Sequence, residues 1–159
     1  QIRVALFQDG GTTPVEVQKI RTKDRDQKPE ERLAELINSM RPEGSRLRAV
    51  AVALPGYVDP VNGIIYRAPN IPGWYRFPIR DYLEMKLGVP VLIGNDANMA
   101  ALGEWRFGAG VGYHNLVYLT ISTGIGAGII MDDRLILGEH GLAAELGHVT
   151  VVPDGPLCG

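Results

Sequence analysis

Gly94-Asn95-Asp96 directly follows the apolar run Val89 to Ile93 and directly precedes a helical run carrying Ala97, Ala100, Ala101 and Glu104. The carboxyl end of a buried strand is where open α/β sheets hold ligands. There a carboxylate can take the proton of a hydroxyl nucleophile, and a neighbouring amide can both donate to and accept from a polyol. Asp96 equally suits the N-cap of the helix that follows, where it would satisfy free backbone amides. A second constellation is Ser122-Thr123-Gly124-Ile125-Gly126-Ala127-Gly128, which follows the apolar run Leu116 to Ile121. Three alternate glycines let main-chain amides approach a phosphate without Cβ interference, and the flanking hydroxyls add donors. Strand character resumes at Ile129 to Met131, so this is neither a Walker loop nor a dinucleotide fingerprint, and a glycine-rich hairpin without a ligand has the same pattern.

The third constellation is Glu145-Leu146-Gly147-His148, whose carboxylate and imidazole share one face if the segment is helical. Such a pair could read a sugar or a metal, or the histidine could simply bond to backbone. His148 and Cys158 are two donors of the sort zinc takes, against the four that a structural site requires.

These groups need elements to position them. Ile2 to Phe7 and Val15 to Ile20 read as a hairpin around Gly10-Gly11, because paired glycines permit positive φ in a tight reversal. Pro29, Glu30 and Glu31 followed by Leu33, Leu36, Ile37 and Met40 predict a helix over 29–41. Ala49 to Leu54, Val89 to Ile93 and Leu116 to Ile121 are continuous apolar runs, expected for strands covered on both faces. A helix over 78–87 is stopped by Gly88. Pro60 to Phe77 is rich in Pro, Gly, Asn and aromatics and reads as a long loop, either pinned by Trp74 or lining a substrate.

Composition limits the function classes. With 159 residues, 45% hydrophobic and 21% charged, the chain can build one real core, which excludes a disordered tail, a fibrous repeat or a coiled coil. The net charge of -2 and the absence of a basic arm argue against nucleic-acid binding through this region. One cysteine permits no intrachain disulfide, and no signal or membrane-spanning run is evident, so a cytoplasmic location is expected. Between residues 94 and 147 lie 11 of the 20 glycines, as expected of a region that presents backbone to a ligand.

Together the Pro55-Gly56 turn, Ala68-Pro69-Asn70 leading to Trp74, Leu92-Ile93-Gly94-Asn95-Asp96-Ala97-Asn98, Thr123-Gly124-Ile125-Gly126-Ala127-Gly128 and Glu145-Leu146-Gly147-His148 resemble the ROK family of repressors, open reading frames and sugar kinases. The resemblance spans essentially the whole chain. It implies an α/β, actin-like ATPase (ribonuclease H-like) fold, a mixed sheet with flanking helices, incomplete at both ends. Residues 1–113 would form a small sugar-binding lobe, and 114–159 would begin the second, ATP-side lobe. Asp9-Gly10-Gly11-Thr12 approximates the family's first phosphate loop but lacks its intervening residue. Only one further strand separates it from the helix at 29, where the family has two, so Ile2 to Phe7 aligns with the family's second strand.

By resemblance Asp96 is the base that deprotonates a sugar hydroxyl. Asn95, Glu145 and His148 hold ring hydroxyls, and Thr123, Gly124 and Gly126 meet ATP phosphates. His148 and Cys158 would be part of a structural zinc site whose other cysteines lie beyond this sequence. The implied activity is ATP- and Mg²⁺-dependent phosphorylation of a glucose-type hexose, with a second copy of the chain as partner. The alternative is a sugar-responsive transcriptional regulator. The 159 residues alone are expected neither to phosphorylate sugar nor to hold zinc tightly.

Overall fold

In the computed structural model, which describes residues 1–122 and 124–155, the chain forms two compact units. One comprises Gln1–Val52 and Asp59–Ile93, and the other comprises Ala53–Val58 with the described residues from Gly94 onward.

The first unit opens with the expected hairpin of β1 (Ile2–Leu6) and β2 (Glu16–Ile20), antiparallel with Ile2 opposite Ile20. Gly10 adopts φ 73° in the reversal, which favours glycine, and Gly11 N–H donates to the Gln8 carbonyl at 2.9 Å. Helix α1 (Pro29–Ser39) begins at the proline, and the Glu31 carboxylate accepts from Lys28 N–H at 3.3 Å. Its Leu33, Leu36 and Ile37 are buried, as are Ile79, Leu83 and Leu87 of α2 (Ile79–Leu87), against which α1 packs. Helix α2 stops where Gly88 turns to φ 69°.

The stretch expected as one long loop is instead organised. Just after β4 (Tyr57–Asp59), it contains β5 (Ile64–Arg67) and β6 (Tyr75–Phe77), and β5 pairs antiparallel with β6, Ile65 opposite Phe77. Gly, Pro and Asn turns hid strands of only three or four residues from a pattern-based reading. Trp74 pins the connection: its Nε1–H donates to the buried Glu30 carboxylate of α1 at 2.8 Å, and its ring stacks with Phe77 at 6.5 Å between centroids. Burial, followed by the Glu31, Glu30 and Glu35 carboxylates, raises the nearby Tyr82 phenol above its ordinary range.

Strands β3 (Val50–Leu54) and β7 (Val91–Asn95) neighbour one another, and Val50 N–H donates to the Pro90 carbonyl at 3.0 Å. Neither is covered on both faces, contrary to the expectation from their apolar runs. Val52, Leu54, Val91 and Ile93 are buried, while Ala51, Ala53 and Leu92 are exposed. Pleating sends alternate side chains to opposite faces, and only one of those faces is packed here.

The second unit holds α3 (Asp96–Phe107), the antiparallel strands β8 (Leu116–Ile121), β9 (Ile125–Met131) and β10 (Arg134–Leu135), and a 3₁₀ turn at Leu146–His148. Helix α3 packs on β8 and β9, so β8 too has one covered and one open face, with Val117, Leu119 and Ile121 outward. Among the described residues no helix is long and apolar enough to cross a membrane.

The Trp74–Glu30 bond makes a stability prediction for the full chain. Trp74→Phe leaves a buried carboxylate without its donor and should cost about 1–3 kcal/mol. Glu30→Gln, which keeps an acceptor, should cost less. Denaturant unfolding of the two variants checks the order.

Candidate active site

The end of β7 turns directly into α3, and the polar residues at that junction divide their roles. Asn95 is the N-cap: its Oδ1 accepts from Ala97 N–H at 2.9 Å and Asn98 N–H at 3.2 Å. Its Nδ2 donates to the Gly56 carbonyl at 3.1 Å, in the turn that follows β3. The capping role that the sequence left open for Asp96 therefore falls chiefly to its neighbour. Asp96 is the first residue of α3, is exposed, and uses Oδ1 to accept from Ala97 N–H at 2.9 Å. Its Oδ2 has no partner among the described residues, which leaves a carboxylate oxygen available to a substrate hydroxyl.

The glycines of the Ser122–Gly128 segment do not share one environment. Thr123 lies outside the described residues. A Cβ added at Gly124 would meet nothing within 4 Å, so backbone there is open to approach. Gly126 and Gly128 are already inside β9, opposite Thr120 and Tyr118. A Cβ on Gly126 would come within 3.2 Å of Ala97 Cβ, and one on Gly128 within 2.5 Å of Ala101 Cβ and 3.0 Å of the Ala97 carbonyl. These two glycines admit the helix against the strand. The sequence held a signal for this that the phosphate reading passed over: Ala97 and Ala101 are one helical turn apart, and Gly126 and Gly128 lie on one face of a strand.

Glu145 and His148 bracket the 3₁₀ turn, with Glu145 half-buried and its carboxylate 3.9 Å from His148 Nε2. Gly147, between them, lies so close to the Ile125 carbonyl that a Cβ would collide with it. The turn is therefore seated on the first residue of β9, while Ala97 in the first turn of α3 faces the second. Ile125 and Gly126 are adjacent in β9, so the Glu145–His148 turn and the first turn of α3 meet consecutive residues of the same strand.

Metal chemistry has less to draw on. His148 offers one nitrogen, Cys158 lies outside the described residues, and among the described residues no three His, Cys, Asp or Glu side chains gather as a metal site. A closed zinc site takes four ligands, so the described residues do not by themselves make one.

Steric contact at β9 makes the second prediction. Gly128→Ala must push α3 off the strand and should destabilise the full chain by about 1–3 kcal/mol. Gly124→Ala, with open space around it, should fall within about 0.5 kcal/mol of the parent. Thermal or denaturant unfolding separates the two.

Known proteins resemble this chain in sequence and fold. A glucokinase of Streptomyces coelicolor is 45% identical over 116 residues, covering 73% of this chain and 36% of that protein. A xylose repressor of Bacillus spizizenii is 38% identical over 112 residues, covering 70% of this chain and 29% of the repressor. The structure of a ROK family glucokinase from Streptomyces griseus in complex with glucose and AMPPNP superposes with a TM-score of 0.74 at 40% identity, over 92% of this chain and 46% of that one. This chain thus spans only about a third of the curated relatives and about half of the solved kinase, and its mixed α/β architecture is the actin-like ATPase fold. The model of the ROK family matches residues 1–159, and the chain belongs to that family.

Proposed function

We propose that the intact protein to which these 159 residues belong is an ATP-dependent sugar kinase of the glucokinase type, transferring the γ-phosphoryl group of ATP to a hydroxyl of a hexose. The observation that carries this reading is the unengaged carboxylate oxygen of Asp96, exposed at the point where β7 turns into α3. The identity to named glucokinases and the likeness to a kinase holding glucose and AMPPNP support it.

In this reading Asp96 accepts the proton of the attacking hydroxyl as its oxygen bonds to γ-phosphorus and the bond from γ-phosphorus to the β,γ-bridging oxygen breaks, that oxygen leaving with ADP. Glu145 and His148 donate to or accept from other ring hydroxyls, and Asn95 donates to one. Thr123, Gly124 and Gly126 meet the ATP phosphates. Mg²⁺, when bound with ATP, neutralises charge on the transferring group. No described cluster is assigned to hold it. Zinc in this reading is structural, with His148 and Cys158 as two of its ligands.

Asp96→Asn in the full chain should leave sugar affinity within a few-fold while lowering turnover roughly 100-fold or more. Hexose-dependent ADP release, measured alongside sugar binding by calorimetry, tests this, and near-parental turnover would exclude Asp96 as the base. The repressor relative supports a second reading, a sugar-responsive regulator. Sugar binding with no ADP release, together with sugar-sensitive DNA binding by the full chain, would favour it.

A further inference from the structure

Asn95 is the residue whose observed bonds differ most from a simple ligand role. A carboxamide has two acceptor lone pairs and two donor hydrogens. Both lone pairs go to backbone amides of α3, Ala97 at 2.9 Å and Asn98 at 3.2 Å, and one hydrogen goes to the Gly56 carbonyl at 3.1 Å. One N–H is left for anything else. We infer that Asn95 is a positioning residue, whose carboxamide ties the Pro55–Gly56 turn to the first turn of α3 and so fixes where Asp96 presents its carboxylate.

Three features of the chain make this tie consequential. Ala53–Val58 clusters with the residues from Gly94 onward rather than with its own sequence neighbours on either side, so a side-chain bond from Asn95 anchors an otherwise remote segment. Gly56 adopts φ 85°, a left-handed conformation that a Cβ disfavours. Asp96 is the next residue after Asn95, and a displacement of about 1 Å at a reacting group can lower a rate roughly 100-fold. The remaining single N–H also limits Asn95 toward a sugar: it can donate to a ring oxygen or hydroxyl, but it cannot accept.

The inference rests on Asp96 being the base, and two measurements keep the two apart. Asn95→Asp keeps an acceptor for both α3 amides but puts a carboxylate oxygen opposite the Gly56 carbonyl. In the full chain it should lower kcat about tenfold to 100-fold while KM and the equilibrium sugar affinity change less than about threefold. A tenfold or greater loss of sugar affinity with kcat intact would overturn the inference and make Asn95 a sugar ligand alone. Because that outcome needs activity, the tie is also read without it, by unfolding Asn95→Asp, Gly56→Ala and the double variant. Asn95→Asp removes the donor, and Gly56→Ala, whose Cβ disfavours φ 85°, shifts the backbone carbonyl that accepts it, so their effects on the denaturation midpoint should fall short of additive, whereas strict additivity would overturn the tie. If the parent chain shows no hexose-dependent ADP release, or Asp96→Asn keeps it, the base reading fails while the unfolding cycle still decides the tie. Should Asn95→Asp not fold, Asn95→Ser, which keeps a capping oxygen and loses the donor, takes its place in both measurements.

Discussion

The close approach of α3 to β9 is the constraint on which the candidate site depends. Interiors pack at near-crystalline density, so a helix comes within backbone distance of a strand only where side chains are absent or minimal. Ala97 and Ala101 on the helix and Gly126 and Gly128 on the strand meet that condition. Larger residues at any of the four would lift the N-terminal half of α3, and Asp96 with it, off the strand. The far end of the helix is held as tightly. Trp105 Nε1–H donates to the Tyr113 carbonyl at 2.7 Å, and the Glu104 carboxylate accepts from Ala109 N–H at 3.0 Å, which fixes the turn leading into β8.

Within that frame, polar groups are divided between holding backbone and facing outward. Asn95 and Asp96 are adjacent, and both have oxygens within reach of the same Ala97 amide. Because Asn95 supplies the cap to two amides, Asp96 keeps an oxygen unengaged. Asn98, one turn further along, is buried, and its Oδ1 has no protein partner among the described residues. Buried carbonyl oxygens are usually satisfied, and an ordered water is the commonest partner when protein offers none.

The open faces of the strands are the other physical feature of this chain. Val117, Leu119 and Ile121 of β8 and Leu92 of β7 point away from packed surfaces, although their runs read as fully covered strands. Apolar side chains on such faces carry a free-energy cost of about 25 cal/mol per Å² while they remain wet. Composition alone cannot distinguish a face that is covered from one that is merely apolar, because both have the same side chains.

Local chemistry was legible in the sequence, and distant proximity was not. Proline and acids at the start of α1, glycine after α2, and Gly10-Gly11 in the β1–β2 reversal each act through their own backbone, so their effect is readable within a few residues. The candidates Asn95 and Asp96, beside an apolar run, and Glu145 and His148, three residues apart, could be singled out for the same reason: functional group, place and spacing are local facts. Which neighbour caps α3 depended on side-chain geometry, and Asn95 took a role that the pattern offered to Asp96. That Gly126 and Gly128 admit a helix, that Gly147 rests on Ile125, and that Trp74 bonds Glu30 across 44 positions were decided only by tertiary packing. Such contacts depend on which elements fold back on one another, and the residue types at each end are equally compatible with many partners until that packing is set.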